Sequence, residues 1–124
     1  MEIVHPKPVH KDERGEIIDV IQRESIDAVT VISFKKGAVR ANHSHKQTVQ
    51  WNYVLSGRIR LVTQLPGKEA SESILSPGDL AVTRENESHA LQALEDSSLL
   101  VLTRGPRAGD EYEADTFRLD HPLI

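Results

Sequence analysis

Cysteine is absent from the chain's 124 residues, which excludes a disulfide framework, a thiolate metal site and a cysteine nucleophile. Any metal held here must use nitrogen and oxygen ligands. Basic runs are absent as well: the 15 lysines and arginines are interspersed with 19 acids, for a formal charge of −4. That leaves no electrostatic footprint for nucleic acid. No segment approaches the ~20 apolar residues of a membrane span, and the stretch Met1 to Glu16 has no apolar core of a signal peptide. The expectation is a soluble, cytoplasmic protein. Linkers, repeat arrays and low-complexity tracts are also missing. One domain over residues 1–124 is therefore expected, with an irregular tail from about 104 to 124 that wraps the barrel or a partner.

What the sequence does have is a series of short β-branched or alternating runs between turn signals, and no run of ten or more residues keeps a clean helical repeat. This predicts an all-β sandwich or barrel. Strands are expected at Glu16–Ile21, Ala28–Phe34, Arg40–His45, Val49–Leu55, Arg58–Gln64, Ala70–Leu75, Leu80–Thr83, His89–Leu94 and Ser98–Thr103. Lys36-Gly37, Ser56-Gly57, Pro66-Gly67-Lys68, Pro77-Gly78-Asp79 and Glu85-Asn86-Glu87 supply the reversals between them.

Three of the six histidines, His43, His45 and His89, fall at ends of these strands. His43 and His45 are two apart and so share a strand face. Gln50 follows on the next strand, facing them across a hairpin, and the strand begun by His89 comes alongside. The result is an arc of three imidazoles and one amide oxygen around a single point. Asn52 and Val54 share the Gln50 face, which makes Asn52 a candidate for touching a substrate. Trp51 and Tyr53 face away, and the barrel's other layer or a partner must cover them. Arg58 and Arg60 share one strand face and are candidates for holding a carboxylate or phosphate. His5, His10 and His121 have no ligand spacing and carry no functional weight.

At these residues the sequence resembles the cupins. Gly37, five residues, His43-Ser44-His45, four residues, Gln50, six residues and Gly57 reproduce the first cupin motif in every spacing. Pro77-Gly78-Asp79 through His89 is similar to the second motif, with Arg84 in place of the usual proline, Asn86 in place of glycine and Ala93 in place of asparagine. The resemblance implies an antiparallel jelly-roll β-barrel with one divalent metal ion in its mouth, often assembled as a homodimer. The ion would be held by His43, His45, Gln50 and His89. Imidazole and amide oxygen suit Mn, Fe, Co, Ni and Zn alike.

Family members commonly carry Glu where Gln50 stands. Three neutral imidazoles and a neutral amide leave the ion its full formal charge, which favours an anionic oxygen ligand. Some cupins that isomerise or tautomerise sugar acids are similar in pairing three histidines with a glutamine. The tail, with its Arg104-Gly105-Pro106-Arg107 and Tyr112, looks like tails of cupins encoded among sugar-nucleotide and polysaccharide genes. Three functions follow as expectations. The first is a Lewis-acid isomerase or tautomerase acting on a small, oxygen-rich substrate such as a sugar or sugar acid, an anionic one being favoured. The others are a metal-dependent dioxygenase and a non-catalytic sugar-binding or regulatory module.

Overall fold

The computed structural model describes residues 1–124. Twelve strands and one short helix follow in order. They are β1 (Glu2–Val4), β2 (Pro8–Asp12), β3 (Gly15–Ile18), β4 (Ala28–Phe34), β5 (Val39–Ser44), β6 (Val49–Ser56), β7 (Ile59–Gln64), β8 (Ser71–Leu75), β9 (Leu80–Thr83), β10 (Ser88–Ala93), β11 (Ser97–Arg104), α1 (Gly109–Ala114) and β12 (Phe117–Arg118). One five-stranded antiparallel sheet has the order β1-β9-β6-β11-β4, and a second has β12-β5-β10-β7-β8. They face each other as a jelly-roll barrel, and β2 and β3 form a separate hairpin. No helix is long and apolar enough to cross a membrane.

The strands form where side chains can alternate between core and solvent. In β11 alternate residues Ser97, Leu99, Val101 and Thr103 are buried, and Leu99 and Val101 meet Phe34, Ile59, Leu61 and Leu91 between the sheets. Each such side chain contributes about 1.5–3 kcal/mol by leaving water. A second cluster, Val49, Trp51, Leu80 and Val82, lies on the outer side of the first sheet, where Val20, Ile21 and Ile26 pack against it. The chain's own N-terminal segment therefore covers Trp51.

Two glycines are fixed by close approach. At Gly57 (φ +86°) a Cβ would stand 2.0 Å from Ser97 Oγ and 2.5 Å from the Asp96 carbonyl. Gly57→Ala is expected to cost about 2 kcal/mol or more, and the urea midpoint measures it. At Gly105 (φ +124°), where the C-terminal segment leaves β11, a Cβ would stand 2.6 Å from the Gln47 carbonyl. Beyond it α1 forms and β12 pairs with β5. Asn42 then clamps the terminus, accepting from Leu123 N at 2.8 Å and donating to the Ile124 carbonyl at 3.1 Å.

Candidate metal centre

The register places the histidines. His89 on β10 lies directly opposite His43 on β5, with a bulge between His89 and Ala90, and His45 follows β5 by one residue. Ring centroids are 4.6 Å apart for His43–His45, 4.8 Å for His43–His89 and 5.5 Å for His45–His89. One nitrogen of each lies within 4.8 Å of the others. The link from His45 to β6 crosses between the sheets, so Gln50 faces the histidines from the opposing sheet instead of across a hairpin. It lines the same cavity as His43 and His89. Thr103 Oγ1, buried without a partner, lies opposite Gln50 in the register.

Hydrogen bonding fixes the tautomers of two histidines. His45 Nδ1 lies 2.9 Å from the Asp115 carbonyl and His89 Nδ1 lies 3.0 Å from the Glu87 carbonyl. A carbonyl only accepts, so each Nδ1 carries the proton and each Nε2 keeps its lone pair. Both Nε2 atoms are buried with no partner. An unpaired buried acceptor costs about 1–3 kcal/mol, and such a cost marks a site with a further ligand to take. The donor set fits a divalent ion: nitrogen donors converge, and carbonyls orient the rings from behind.

Burial also keeps the imidazoles neutral. It is the foremost cause of lowering His43 to about 3, with the imidazoles of His89 and His45 adding to it. Burial likewise lowers His89 to about 4, against the Glu87 carbonyl, and it lowers His45 against the Asp115 carbonyl. The unfolded chain, with histidines near 6.5, binds more protons across the window from about 6.5 down to these values. Stability of the metal-free protein is therefore complete above about pH 6.5 and falls with pH below it, His89 alone removing about 2 kcal/mol at pH 5. Urea midpoints at pH 7.5 and pH 5 measure the loss, and equal midpoints would contradict neutral buried imidazoles.

The cavity beside the histidines is about 470 Å³. Its apolar wall includes Phe34, Leu91, Leu99 and Val101, and its polar lining includes Asn52, Arg40, Arg107 and Tyr112. Asn52 shares the Gln50 face; its Nδ2 donates to the Ala81 carbonyl at 3.1 Å, and its Oδ1 has no protein partner. The structure does not bring Arg58 and Arg60 to this cavity. Arg58 precedes β7 and is exposed; Arg60 points away from the core and pairs with Glu72 and Gln92.

Arg40 and Arg107 are the cationic residues that sequence reasoning missed. Arg40 stacks on Phe34 at 5.2 Å and donates to the Ser33 carbonyl at 3.0 Å. Arg107 stacks on Tyr112 at 4.5 Å, and the Tyr112 ring lies 5.3 Å from that of His45. Arg40 was hidden by Ala41 and Asn42, both at positive φ (72° and 56°). They break the two-residue period and let Arg40 and His43 line one cavity. Arg107 lies in a loop, where no periodicity exists to read.

Fold and site together define an antiparallel jelly-roll barrel with a histidine-lined mouth. Residues 30–103 match the family model of the Cupin domain, and the chain belongs to that family. It is 33% identical over 79 residues to the pectin degradation protein KdgF of Dickeya dadantii, covering 64% of this chain and 67% of that protein. Its fold is similar to that of dTDP-4-dehydrorhamnose 3,5-epimerase from Sulfolobus tokodaii, with TM-score 0.77 and 19% identity, covering 98% of this chain and 80% of that one. It is also similar to a double mutant of the QdtA 3,4-ketoisomerase from Thermoanaerobacterium thermosaccharolyticum in complex with TDP, with TM-score 0.76 and 25% identity, covering 95% and 86%.

Proposed function

We propose that the chain is an enzyme of sugar metabolism, an isomerase or tautomerase that moves a proton beside a carbonyl of an anionic sugar acid. One divalent ion would be held by His43, His45, His89 and Gln50. The observation that carries this reading is the cluster of three histidines, with Nε2 of His45 and His89 buried and unpartnered, beside a cavity that His43 and His89 line together with Arg40 and Arg107. The likeness to a pectin degradation protein and to a 3,4-ketoisomerase supports it.

The ion, of the Mn, Fe, Co, Ni or Zn type, would supply Lewis-acid stabilisation of the negative oxygen that develops as the proton leaves carbon. The protein's own groups do the rest. Arg40 and Arg107 bind the carboxylate, a task suited to planar, permanently charged side chains. The substrate-binding role expected of Arg58 and Arg60 passes to them because they line the cavity. The Asn52 carbonyl oxygen accepts from a sugar hydroxyl. Leu91, Leu99 and Val101 exclude water from one side, which strengthens each charge interaction. No carboxylate lines the cavity, and we assign the proton transfer to the Tyr112 oxygen, which as phenolate takes the proton from carbon and as phenol returns it.

Sugar acids bearing a free carbonyl, incubated in D2O with metal-loaded protein and followed by proton NMR, test the reading. Deuterium should enter beside the carbonyl, and Arg107→Ala should raise KM about tenfold or more. Absence of exchange together with Fe(II)-dependent oxygen uptake would overturn the isomerase in favour of a dioxygenase.

The same reading includes a homodimer. β4 is an edge strand whose outward Val29 and Val31 are 62% and 65% exposed, without the charge or proline that protects isolated edges. Light scattering should give twice the 13.8 kDa chain mass, and Val29→Lys should return the monomer.

A further inference from the structure

One buried acid plays no part in the chemistry just proposed, and it lies beyond the family-matched residues 30–103. Asp115, just after α1, is 3% exposed. Its carboxylate accepts from Lys46 N at 3.0 Å, from Gln47 N at 3.1 Å and from Thr48 Oγ1 at 2.7 Å. These donors belong to the link that carries the chain from His45 to Gln50. The main-chain carbonyl of the same residue accepts from His45 Nδ1 at 2.9 Å. Asp115 thus grips the link with its side chain and a ligand-type histidine with its backbone.

The contrast with His89 shows why a grip is needed. The carbonyl that orients His89 comes from Glu87, two residues before it and immediately ahead of β10. The carbonyl that orients His45 comes from 70 residues later in the chain, just past the end of a six-residue helix too short to hold itself in place. Here the C-terminal segment is anchored chiefly from the barrel side, and the Asp115 carboxylate is the anchor nearest the histidine.

We propose that Asp115 is a positioning residue of the histidine centre: its carboxylate fixes the 46–48 link, so that its own carbonyl selects the Nδ1–H tautomer of His45 and aims Nε2 inward. The C-terminal segment is then a working part of the centre and not a cover laid over it. The inference rests on the reading of His45 as a metal ligand.

The test compares Asp115→Ala and Asp115→Asn with the parent protein, by two readouts. Imidazole 15N spectra of the metal-free protein report each tautomer, and calorimetric titration with Zn(II) reports affinity. In Asp115→Ala, His45 should lose its single Nδ1–H form while His89 keeps its own, and Zn(II) affinity should fall about 10- to 100-fold. Asp115→Asn, which keeps one acceptor oxygen for the link, should lie between and decides the matter if the alanine variant does not fold. Unchanged His45 signals with affinity within twofold of the parent would overturn the proposal, as would equal disturbance of His45 and His89. If the parent itself takes up no metal, the proposed function fails while the tautomer readout still decides the role of Asp115.

Discussion

Replacing His89 with alanine should reduce metal content from about one ion per chain to less than about one tenth. His89 is 2% exposed, and its Nδ1 is committed to the Glu87 carbonyl, so only Nε2 is free to act. A closed four-ligand zinc site is worth roughly 10–16 kcal/mol. Losing one ligand in four then weakens binding by about 3–4 kcal/mol, or roughly 10²–10³-fold. Elemental analysis after dialysis reads the loss, and thermal melting confirms that the barrel persists. If His89→Ala removed the metal yet left sugar-acid affinity unchanged, the barrel would be a binding module and not a metal-dependent enzyme.

Gln50→Glu should act in the opposite sense on the metal and in the same sense on the reaction. It replaces a buried neutral amide by a carboxylate among three neutral imidazoles, so affinity for a divalent cation should rise. The bound ion would then present one less formal charge to an anionic substrate. At about 4 Å and an effective dielectric near 20, a unit charge is worth about 4 kcal/mol, so kcat/KM for a sugar acid should fall by about 10²–10³-fold. In the metal-free variant, burial should push the new carboxyl upward, and metal binding should release a proton at pH 6. Paired calorimetric titrations in buffers of different ionisation enthalpy count that proton. Equal kcat/KM in the two proteins would show that the neutrality of Gln50 does not matter.

Much of the barrel was readable because alternation and turn chemistry agree along it. Ala28–Phe34 and Leu80–Thr83 are strands with the expected bounds. β1 and β2 were missed, since their side chains are mostly exposed and no apolar alternation marks them. α1, a single exposed turn after Gly105, leaves no helical repeat. Spacing put His43 and His45 on one strand face, and His89 joined them through the expected barrel and the likeness to the second cupin motif. The arginines were harder. Arg60 alternates with the buried Ile59 and Leu61, so its outward direction could have been read from its neighbours. Arg40 could not be, because the positive-φ pair Ala41–Asn42 resets the strand's parity. The orienting carbonyl of Asp115 was equally invisible, for backbone contacts 70 residues apart leave no side-chain signature.

Elemental analysis of the untagged protein, purified without chelators, tests the central claim most directly. Close to one equivalent of Mn, Fe, Co, Ni or Zn per chain is expected, retained on dialysis at pH 7 and lost in His89→Ala. Less than about one tenth of an equivalent, with no uptake when these ions are added, would contradict it.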